Sequence, residues 1–117
     1  MIKRMMDLIE EARQVIPEVT VAELRQRLAA GERPVLVDVR EPSEVAEFGA
    51  IEDSVAIPRG YLEMRIQKVT TDADAPIVAY CMVGHRSLLA ARTLVGMGYR
   101  NVASLAGGYV DWEDGDD

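Results

Sequence analysis

Short apolar runs alternate along this chain with longer amphipathic stretches. The runs at residues 35–39 and 76–80 are nearly continuous, which is typical of strands buried on both faces of a sheet. Strands are predicted at residues 18–20, 35–39, 55–57, 76–80 and 101–105, and helices at residues 1–15, 21–30, 43–48 and 61–69, with a last long helix that begins near residue 86 or 87 and ends at 97. This alternation predicts an α/β fold with one parallel sheet covered on both faces.

The first helix has apolar residues at helical intervals, with charged residues on most of the remaining positions and Pro17 as its stop. Such a helix either packs on its own domain, which is the commoner outcome, or docks on a partner protein. The second helix has a clear start, because Thr20 and Glu23 form a capping box. The apolar positions of the first helix are Ile2, Met5, Met6, Ile9, Ala12 and Ile16.

A chain of 117 residues suits one compact domain, and we divide it into an N-terminal helix (1–17), a main domain (18–113) and an acidic tail (114–117). The net charge of −7 argues against a nucleic-acid partner or an anionic membrane surface. No run approaches the roughly 20 apolar residues of a spanning helix, and the N-terminus does not resemble a signal peptide. The single cysteine excludes an intramolecular disulfide and suits a reducing compartment, so a cytoplasmic protein is expected. No cofactor or metal is expected.

That cysteine, Cys81, follows the predicted strand at 76–80 and precedes the long helix. In an open parallel sheet, ligands bind at this carboxyl end of the strands. Backbone amides of residues 82–87, the helix N-terminus and the charges of Arg86 and His85 would favour a thiolate, while Gly84 suits a tightly curled loop. The alternative is a buried structural thiol, as lone cysteines often are. The strand–loop–helix setting with its glycine and arginine favours a nucleophilic sulfur in an anion-binding loop.

The length of the loop indicates the size of its ligand. Four residues separate Cys81 from Arg86, whereas protein tyrosine phosphatases have five residues between the corresponding Cys and Arg, with a His before the Cys. Tyr80 occupies the position of that His here. A smaller ring of amides fits a sulfur atom better than a tetrahedral phosphate, so the spacing argues against phosphoryl transfer.

Four patches of the chain resemble the single-domain rhodanese-like sulfurtransferases. The patches are Cys81-x-x-Gly84-x-Arg86-Ser87, residues 37–41 followed by Glu44 and Phe48, residues 57–60, and Gly107-Gly108-Tyr109 with Trp112. The resemblance covers roughly residues 19–112. It implies a rhodanese-like five-stranded parallel sheet with helices on both faces, to which this chain adds the N-terminal amphipathic helix. It also implies a cycle in which the cysteine takes a sulfane sulfur from a donor such as thiosulfate and passes it to cyanide or a thiol.

The resemblance gives roles to the residues around this loop. Cys81 would carry the persulfide, and Arg86 would hold the oxyanion of the donor or fix the loop. The amides of Met82, Val83, Gly84 and His85 would surround the outer sulfur, and His85 either lines the entrance or points outward. Ser87 would cap the following helix and could donate to the sulfur.

Three further residues follow strand ends and are candidates for the same site. Asp38 and Arg40 end a central strand, where they either contribute to the site or form a structural ion pair. Arg59 follows the strand at 55–57 and either reaches an anionic donor or faces solvent. The methionines of the first helix are assigned to packing or contact surface and not to a metal.

The chain also departs from the family pattern. Many members carry Arg directly after the cysteine, where this chain has Met82, so one positive charge near the sulfur is missing. Residues 49–54 replace a segment that usually contains His, and they add Glu52 and Asp53, which would disfavour anionic donors if they lay near the entrance. A protein persulfide donor is therefore an alternative to thiosulfate. A second function hypothesis is a sulfur-relay or binding module that docks on a partner through its first helix, with little turnover of small molecules. In either case a monomer or homodimer is expected.

Overall fold

The computed structural model describes residues 1–115, and the expected acidic tail lies partly beyond them, at residues 116 and 117. The strands are β1 (Glu18–Val19), β2 (Val35–Asp38), β3 (Val55–Ala56), β4 (Ile77–Tyr80) and β5 (Val102–Leu105). The α-helices are α1 (Met5–Val15), α2 (Val21–Ala29), α3 (Pro42–Phe48), α4 (Leu62–Val69), α5 (His85–Gly96) and α6 (Gly108–Asp114). A 3-10 turn, Arg59–Tyr61, precedes α4. Within the described residues, no helix has both the length and the apolar character needed to cross a bilayer.

All five strands are parallel and lie in one sheet in the order β1-β5-β4-β2-β3. The predicted fold class is therefore confirmed. After β3 the chain crosses to the other side of β2 and forms β4. The connection that follows β2 leads to β3 on one side, and the connection that follows β4 leads to β5 on the opposite side. Asp38 of β2 is in register with Tyr80 of β4, and the loop after β4 therefore lies at this switch point. Crevices at such points are the usual ligand sites of open parallel sheets.

The sheet is covered by an apolar layer on each face. Residues Leu36, Val78 and Tyr80 pack towards α2 and α6. The alternate residues Val37 and Ile77 pack with Cys81 towards the other face. Helices α1, α4 and α5 supply the cover there through Ile9, Ala12, Ile16, Leu62, Ile66, Leu88 and Leu94.

The N-terminal helix is present and shares this core. Ile9 and Ala12 of α1 and the following Ile16 are buried, and Glu11 pairs with Arg92 of α5 at 3.5 Å. Its outer positions Met5 and Met6 are exposed. The buried stripe contributes to the same hydrophobic core as the sheet, while the boundary proposed at residue 17 stays a prediction.

Four helix starts differ from the expected ones. α1 begins at Met5 rather than at residue 1, and α4 begins at Leu62 rather than at residue 61. α5 begins at His85 rather than at residue 86 or 87, because Gly84 adopts φ 100° and ends the loop one residue earlier. α3 begins at Pro42, one residue before the expected start, because Glu41 and Glu44 form a capping box and proline is well accepted at the first helical position. Thr20 and Glu23 cap α2 as the sequence predicted.

Candidate active site

The sulfur of Cys81 lies under the N-terminus of α5. The N–H of Gly84 donates to Sγ at an N···S distance of 3.2 Å, and that of Ser87 donates at 3.4 Å. Cys81 itself is fully buried. Two convergent amides at a helix N-terminus stabilise negative charge on the atom between them. The loop therefore offers part of the predicted ring of amides, and Val83 at its tip points to solvent with 53% of its surface exposed.

Gly84 allows the loop to turn this closely. Its φ of 100° is in the left-handed region, and a side chain there would also press on the backbone of residues 105–107, with the amide of Gly107 only 3.3 Å from the added Cβ. Gly108 has a related role on the neighbouring connection, because a Cβ there would come 2.6 Å from the carbonyl oxygens of both Cys81 and Met82. The first turn of α6 therefore lies directly on the base of the cysteine loop.

Helix α6 also binds the loop through hydrogen bonds. The N–H of Tyr109 donates to the Cys81 carbonyl at 2.8 Å, and the N–H of Val110 donates to the Met82 carbonyl at 3.0 Å. These bonds occupy the carbonyls at the start of the loop, so its amides are left to face the sulfur. The sequence had marked this glycine-containing segment only through its resemblance to the family.

Arg86 hydrogen-bonds to another helix and not to the sulfur. Its guanidinium forms a bidentate pair with Glu44 of α3, with both N···O distances at 2.8 Å. The hydrogen bonds from Arg86 lower the pKa of the Glu44 carboxyl to about 2, and those to Glu44 raise the pKa of Arg86, to which the nearby charge of Cys81 adds. Of the two roles expected for Arg86, this geometry supports fixing the loop. The sequence analysis named Glu44 only as part of a patch that resembles the family and gave it no role in the site.

The Glu44–Arg86 pair is expected to stabilise the fold only while the carboxylate is ionised. The pKa of Glu44 is about 2 in the folded chain against 4.5 for the free side chain. Its stabilisation is therefore complete above about pH 5 and is lost as the pH falls from 4.5 towards 2. Because both side chains are partly exposed, we expect Glu44→Gln to cost about 1 kcal/mol at pH 7.

Urea unfolding of Glu44→Gln and the unsubstituted chain at several pH values measures this difference. It should be largest at neutral pH and should vanish at the acid end of the range. Glu47→Gln removes an exposed carboxylate from the same helix without removing an ion pair, so it should change stability little. A difference for Glu44→Gln that grows on acidification would contradict the assignment.

Asp38 and Arg40 form a fully buried ion pair beside the loop. The Arg40 side chain donates to both carboxylate oxygens of Asp38, at 2.9 and 2.6 Å, and to the Gly49 carbonyl at 2.7 Å. Its Nη1 also lies 3.5 Å from the Met82 sulfur. The hydrogen bonds to Asp38 raise the pKa of Arg40. This placement agrees with the structural ion pair foreseen for these residues, and Arg40 additionally contacts the residue that follows the cysteine.

Two tyrosine rings enclose the Arg40 guanidinium. It lies 4.4 Å from the ring centre of Tyr109 and 5.5 Å from that of Tyr80, which are cation–π distances. Burial raises the pKa of Tyr80, whose hydroxyl accepts a hydrogen bond from the Ile51 N–H. Tyr80, at the position of the phosphatase His, thus faces away from the sulfur into the opposite layer of the core.

Arg59 hydrogen-bonds to residues of α4 and α5 and not to the cysteine loop. It donates to Glu63 of α4 at 3.1 Å and to the Thr93 hydroxyl, two turns into α5, at 2.9 Å. Together with Leu8 and Arg92 it lines a shallow groove between α1 and α5. His85 is partly exposed at the first position of α5, beside the loop.

One expectation about a neighbouring residue is wrong. Ser87 does not cap α5, because the helix begins at His85 and places Ser87 inside its first turn, where its fully buried hydroxyl contacts the sulfur. Glu52 and Asp53 were expected to affect anionic donors only if they lay near the entrance. Both line a cleft with Arg33 and Trp112, and no residue of the cysteine loop lines that cleft.

The sequence of this chain is similar to one domain family and to several named proteins. The sequence model of the family described as rhodanese-like domain matches residues 20–114. A sulfurtransferase from Allochromatium vinosum is 37% identical over 98 residues, covering 84% of this chain and 89% of its own length. The thiosulfate sulfurtransferase GlpE of Pseudomonas syringae pv. syringae is 40% identical over 78 residues, covering 67% of this chain and 71% of its own.

A solved structure from Rhodopseudomonas palustris extends the similarity to almost the whole chain. That protein, of unknown function and a possible tyrosine phosphatase, superposes with a TM-score of 0.87 at 32% identity and covers 98% of this chain and 92% of its own. The domain match spans the cysteine loop and all the strands after β1, and the named relatives are sulfur-transferring enzymes. The chain therefore belongs to the rhodanese-like family of sulfurtransferases.

Proposed function

We propose that this chain moves a sulfane sulfur from thiosulfate or a persulfide donor to cyanide or a thiol through a persulfide on Cys81. The observation that carries the proposal is the pair of N–H groups, from Gly84 and Ser87, that converge on Sγ at the N-terminus of α5. Such donors stabilise a thiolate, which is the form of cysteine that attacks sulfur. The relative named as a thiosulfate sulfurtransferase supports thiosulfate as one donor.

The reaction requires two displacements at sulfur. In the first, the Cys81 thiolate attacks the outer sulfur of thiosulfate, a new S–S bond forms, the S–S bond of thiosulfate breaks and sulfite leaves. In the second, cyanide attacks the outer sulfur of the persulfide, thiocyanate leaves and the thiolate is regenerated. Amides at the loop would hold the negative charge of thiolate and persulfide in turn. Arg86, paired with Glu44, keeps the loop in place and adds positive charge near it.

Phosphate-ester hydrolysis fits the site less well. A phosphoryl group needs a ring of donors and an arginine directed into that ring, but here only four residues separate Cys81 from Arg86. The Arg86 guanidinium is instead occupied by both carboxylate oxygens of Glu44. We therefore do not extend the phosphatase description of the Rhodopseudomonas palustris protein to this chain.

A relay that is loaded by a partner protein is the second candidate. Cys81 is fully buried, whereas the adjoining side chains of Val83 and Val110 expose 53% and 40% of their surface. Apolar side chains beside a reactive group offer a contact surface for a protein that carries its own persulfide or thiol. A lone thiol of this kind suits a reducing compartment such as the cytoplasm.

Intact-mass measurement after exposure to thiosulfate tests the proposal. The chain should gain the mass of one sulfur atom, and the gain should disappear after treatment with a reducing thiol. Cys81→Ser should gain nothing under the same conditions. Loading by a low-molecular-weight persulfide but not by thiosulfate would favour the relay, whereas failure to gain sulfur from either donor would contradict sulfur transfer.

A further inference from the structure

Two buried hydroxyl groups lie in succession between Cys81 and strand β5 of the sheet. Ser87 on α5 and Ser104 on β5 are both fully buried. Their Oγ atoms are 2.8 Å apart, and the Ser87 Oγ is 3.4 Å from Sγ of Cys81. We call these three groups in successive contact the hydroxyl chain. Ser104 interrupts an otherwise apolar strand, Val102–Leu105, and the function described above gives it no role.

The number of protons on the hydroxyl chain suits the thiolate form of Cys81 better than the thiol. When Cys81 is a thiol, the S–H of Cys81 and the O–H groups of Ser87 and Ser104 are three donors, but only two hydrogen bonds join these side chains. One of the three donors is then left without an acceptor among the described residues. When Cys81 is a thiolate, Ser104 donates to Ser87 and Ser87 donates to the sulfur, so each proton is used once. A buried donor without an acceptor is unfavourable, and a hydrogen bond to a charged acceptor is stronger than one to a neutral acceptor.

We propose that Ser104 is a positioning residue, which directs the Ser87 hydroxyl towards Sγ and thereby favours the thiolate of Cys81. Ser104 does not touch the sulfur. By donating to the Ser87 oxygen it leaves the Ser87 proton to point at the cysteine, and it polarises that hydroxyl as neighbouring hydrogen bonds do in a chain. Among the described residues the side-chain hydrogen bonds of the hydroxyl chain end at Ser104, so the chain offers the thiol proton no further side-chain acceptor. The inference rests on the proposed function only in taking the thiolate as the reactive form.

The charged groups around the sulfur are engaged elsewhere. On α5, Arg86 is bound to Glu44 of α3, and His85 faces partly outward. On β2 and the residues after it, Asp38 and Arg40 bind each other. None of these groups hydrogen-bonds to Ser87 or Ser104 within residues 1–115, so removing the Ser104 hydroxyl leaves their contacts in place.

The pH dependence of Cys81 alkylation measures the effect directly. The rate of reaction with iodoacetamide, followed by intact mass, rises as the thiolate forms and gives a midpoint pH. We expect Ser104→Ala to raise this midpoint by about 0.5–1 pH unit, the equivalent of one neutral hydrogen bond. Ser87→Ala, which removes the bond to the sulfur itself, should raise it by about 1–2 units.

Two further variants separate the hydroxyl from the volume it occupies. Ser104→Thr keeps the hydroxyl and should stay near the unsubstituted midpoint, whereas Ser104→Val has the same shape without it and should behave like Ser104→Ala. If Ser104→Ala does not fold, the difference in midpoint between Ser104→Thr and Ser104→Val still shows whether the hydroxyl favours the thiolate. Ser54→Ala is the control, because Ser54 hydrogen-bonds to Tyr80 and has no contact with the hydroxyl chain.

Equal midpoints for the folded Thr and Val variants, or an unchanged midpoint in Ser104→Ala alongside a raised one in Ser87→Ala, would overturn the proposal. Alkylation needs no sulfur donor, so these results are independent of whether the chain accepts sulfur from thiosulfate. A midpoint that shifts as expected in a chain that takes up no sulfur would refute the proposed function and leave the role of Ser104 intact.

Discussion

Replacement of Cys81 by serine is expected to reduce thiocyanate formation from thiosulfate and cyanide to the uncatalysed rate. A serine hydroxyl is not ionised near neutral pH and cannot form the persulfide that the two displacements share. The substitution suits the site, because the smaller Oγ can still accept the hydrogen bonds that Gly84 and Ser87 donate to Sγ. The loss should therefore come from chemistry and not from unfolding, which a thermal melt of the variant checks.

Two controls define the outcome of this experiment. Ser54→Ala alters a hydroxyl on the other side of β4 and should leave turnover nearly unchanged. Cys81→Ala should be as inactive as Cys81→Ser, since neither has a sulfur. Retention of full turnover in the folded Cys81→Ser variant would exclude Cys81 as the carrier. If the unsubstituted chain shows negligible turnover but does become loaded with sulfur, the relay function is favoured over the enzyme.

Removal of the Asp38 carboxylate is expected to destabilise the chain by about 3–5 kcal/mol, because it leaves the buried Arg40 guanidinium without its counter-charge. Asp38 accepts three hydrogen bonds from Arg40, and neither side chain is exposed to solvent. A domain of this size has a free energy of unfolding of about 5–15 kcal/mol, so Asp38→Ala should sit near the limit of folding. Denaturant unfolding of Asp38→Ala and the unsubstituted chain measures the difference.

The comparison with an exposed pair makes this prediction specific. Asp74 and Arg100 also form a bidentate pair, but both side chains are 68% exposed, so Asp74→Ala should change stability little. The double variant Asp38→Leu with Arg40→Met should recover much of the loss, since it buries no charge. Equal effects for Asp38→Ala and Asp74→Ala would contradict the view that burial gives the Asp38–Arg40 pair its importance.

The Asp38–Arg40 pair also connects stability to the site. Arg40 contacts the Met82 sulfur and the Gly49 carbonyl, and so links β2 to the base of the cysteine loop. Met82 stands where many members of the family carry a second arginine after the cysteine. In this chain the positive charge lies instead beneath the loop and is neutralised by Asp38, which leaves the N–H groups of Gly84 and Ser87 as the donors that face the sulfur.

Local physical chemistry was enough to predict the succession of the strands and of helices α1–α5 along the chain, and the position of the cysteine loop, although α6 was not predicted as a helix. Strand runs, the capping box of Thr20 and Glu23 and the breaks at glycine and proline depend on neighbouring residues, so a sequence shows them directly. The location of Cys81 at a strand end, followed by a helix, likewise needs no distant contact. The predicted parallel sheet and the sulfur at its carboxyl edge both follow from such patterns.

Contacts between distant segments decided the rest of the site. The Arg86–Glu44 pair joins residues 42 positions apart, and the support from Tyr109 and Gly108 comes from the last helix. Which partner a long side chain takes depends on what folding brings within its reach, and no local pattern contains that information. The sequence analysis therefore left two roles open for Arg86, holding the donor or fixing the loop, and the fold pairs it with Glu44 of α3.

The sequence by itself determined at which edge of the sheet the single cysteine lies, because hydrophobic periodicity and the glycine and proline breaks specify strands and their ends. Only the tertiary structure decided what surrounds that sulfur. The start of α5 at His85 turned Ser87 from an expected cap into a buried residue whose N–H donates to the Cys81 sulfur and whose hydroxyl lies 3.4 Å from it. The pairing of β4 with β5 then brought Ser104 against Ser87, a contact that exists only because parallel strands align residues far apart in the chain.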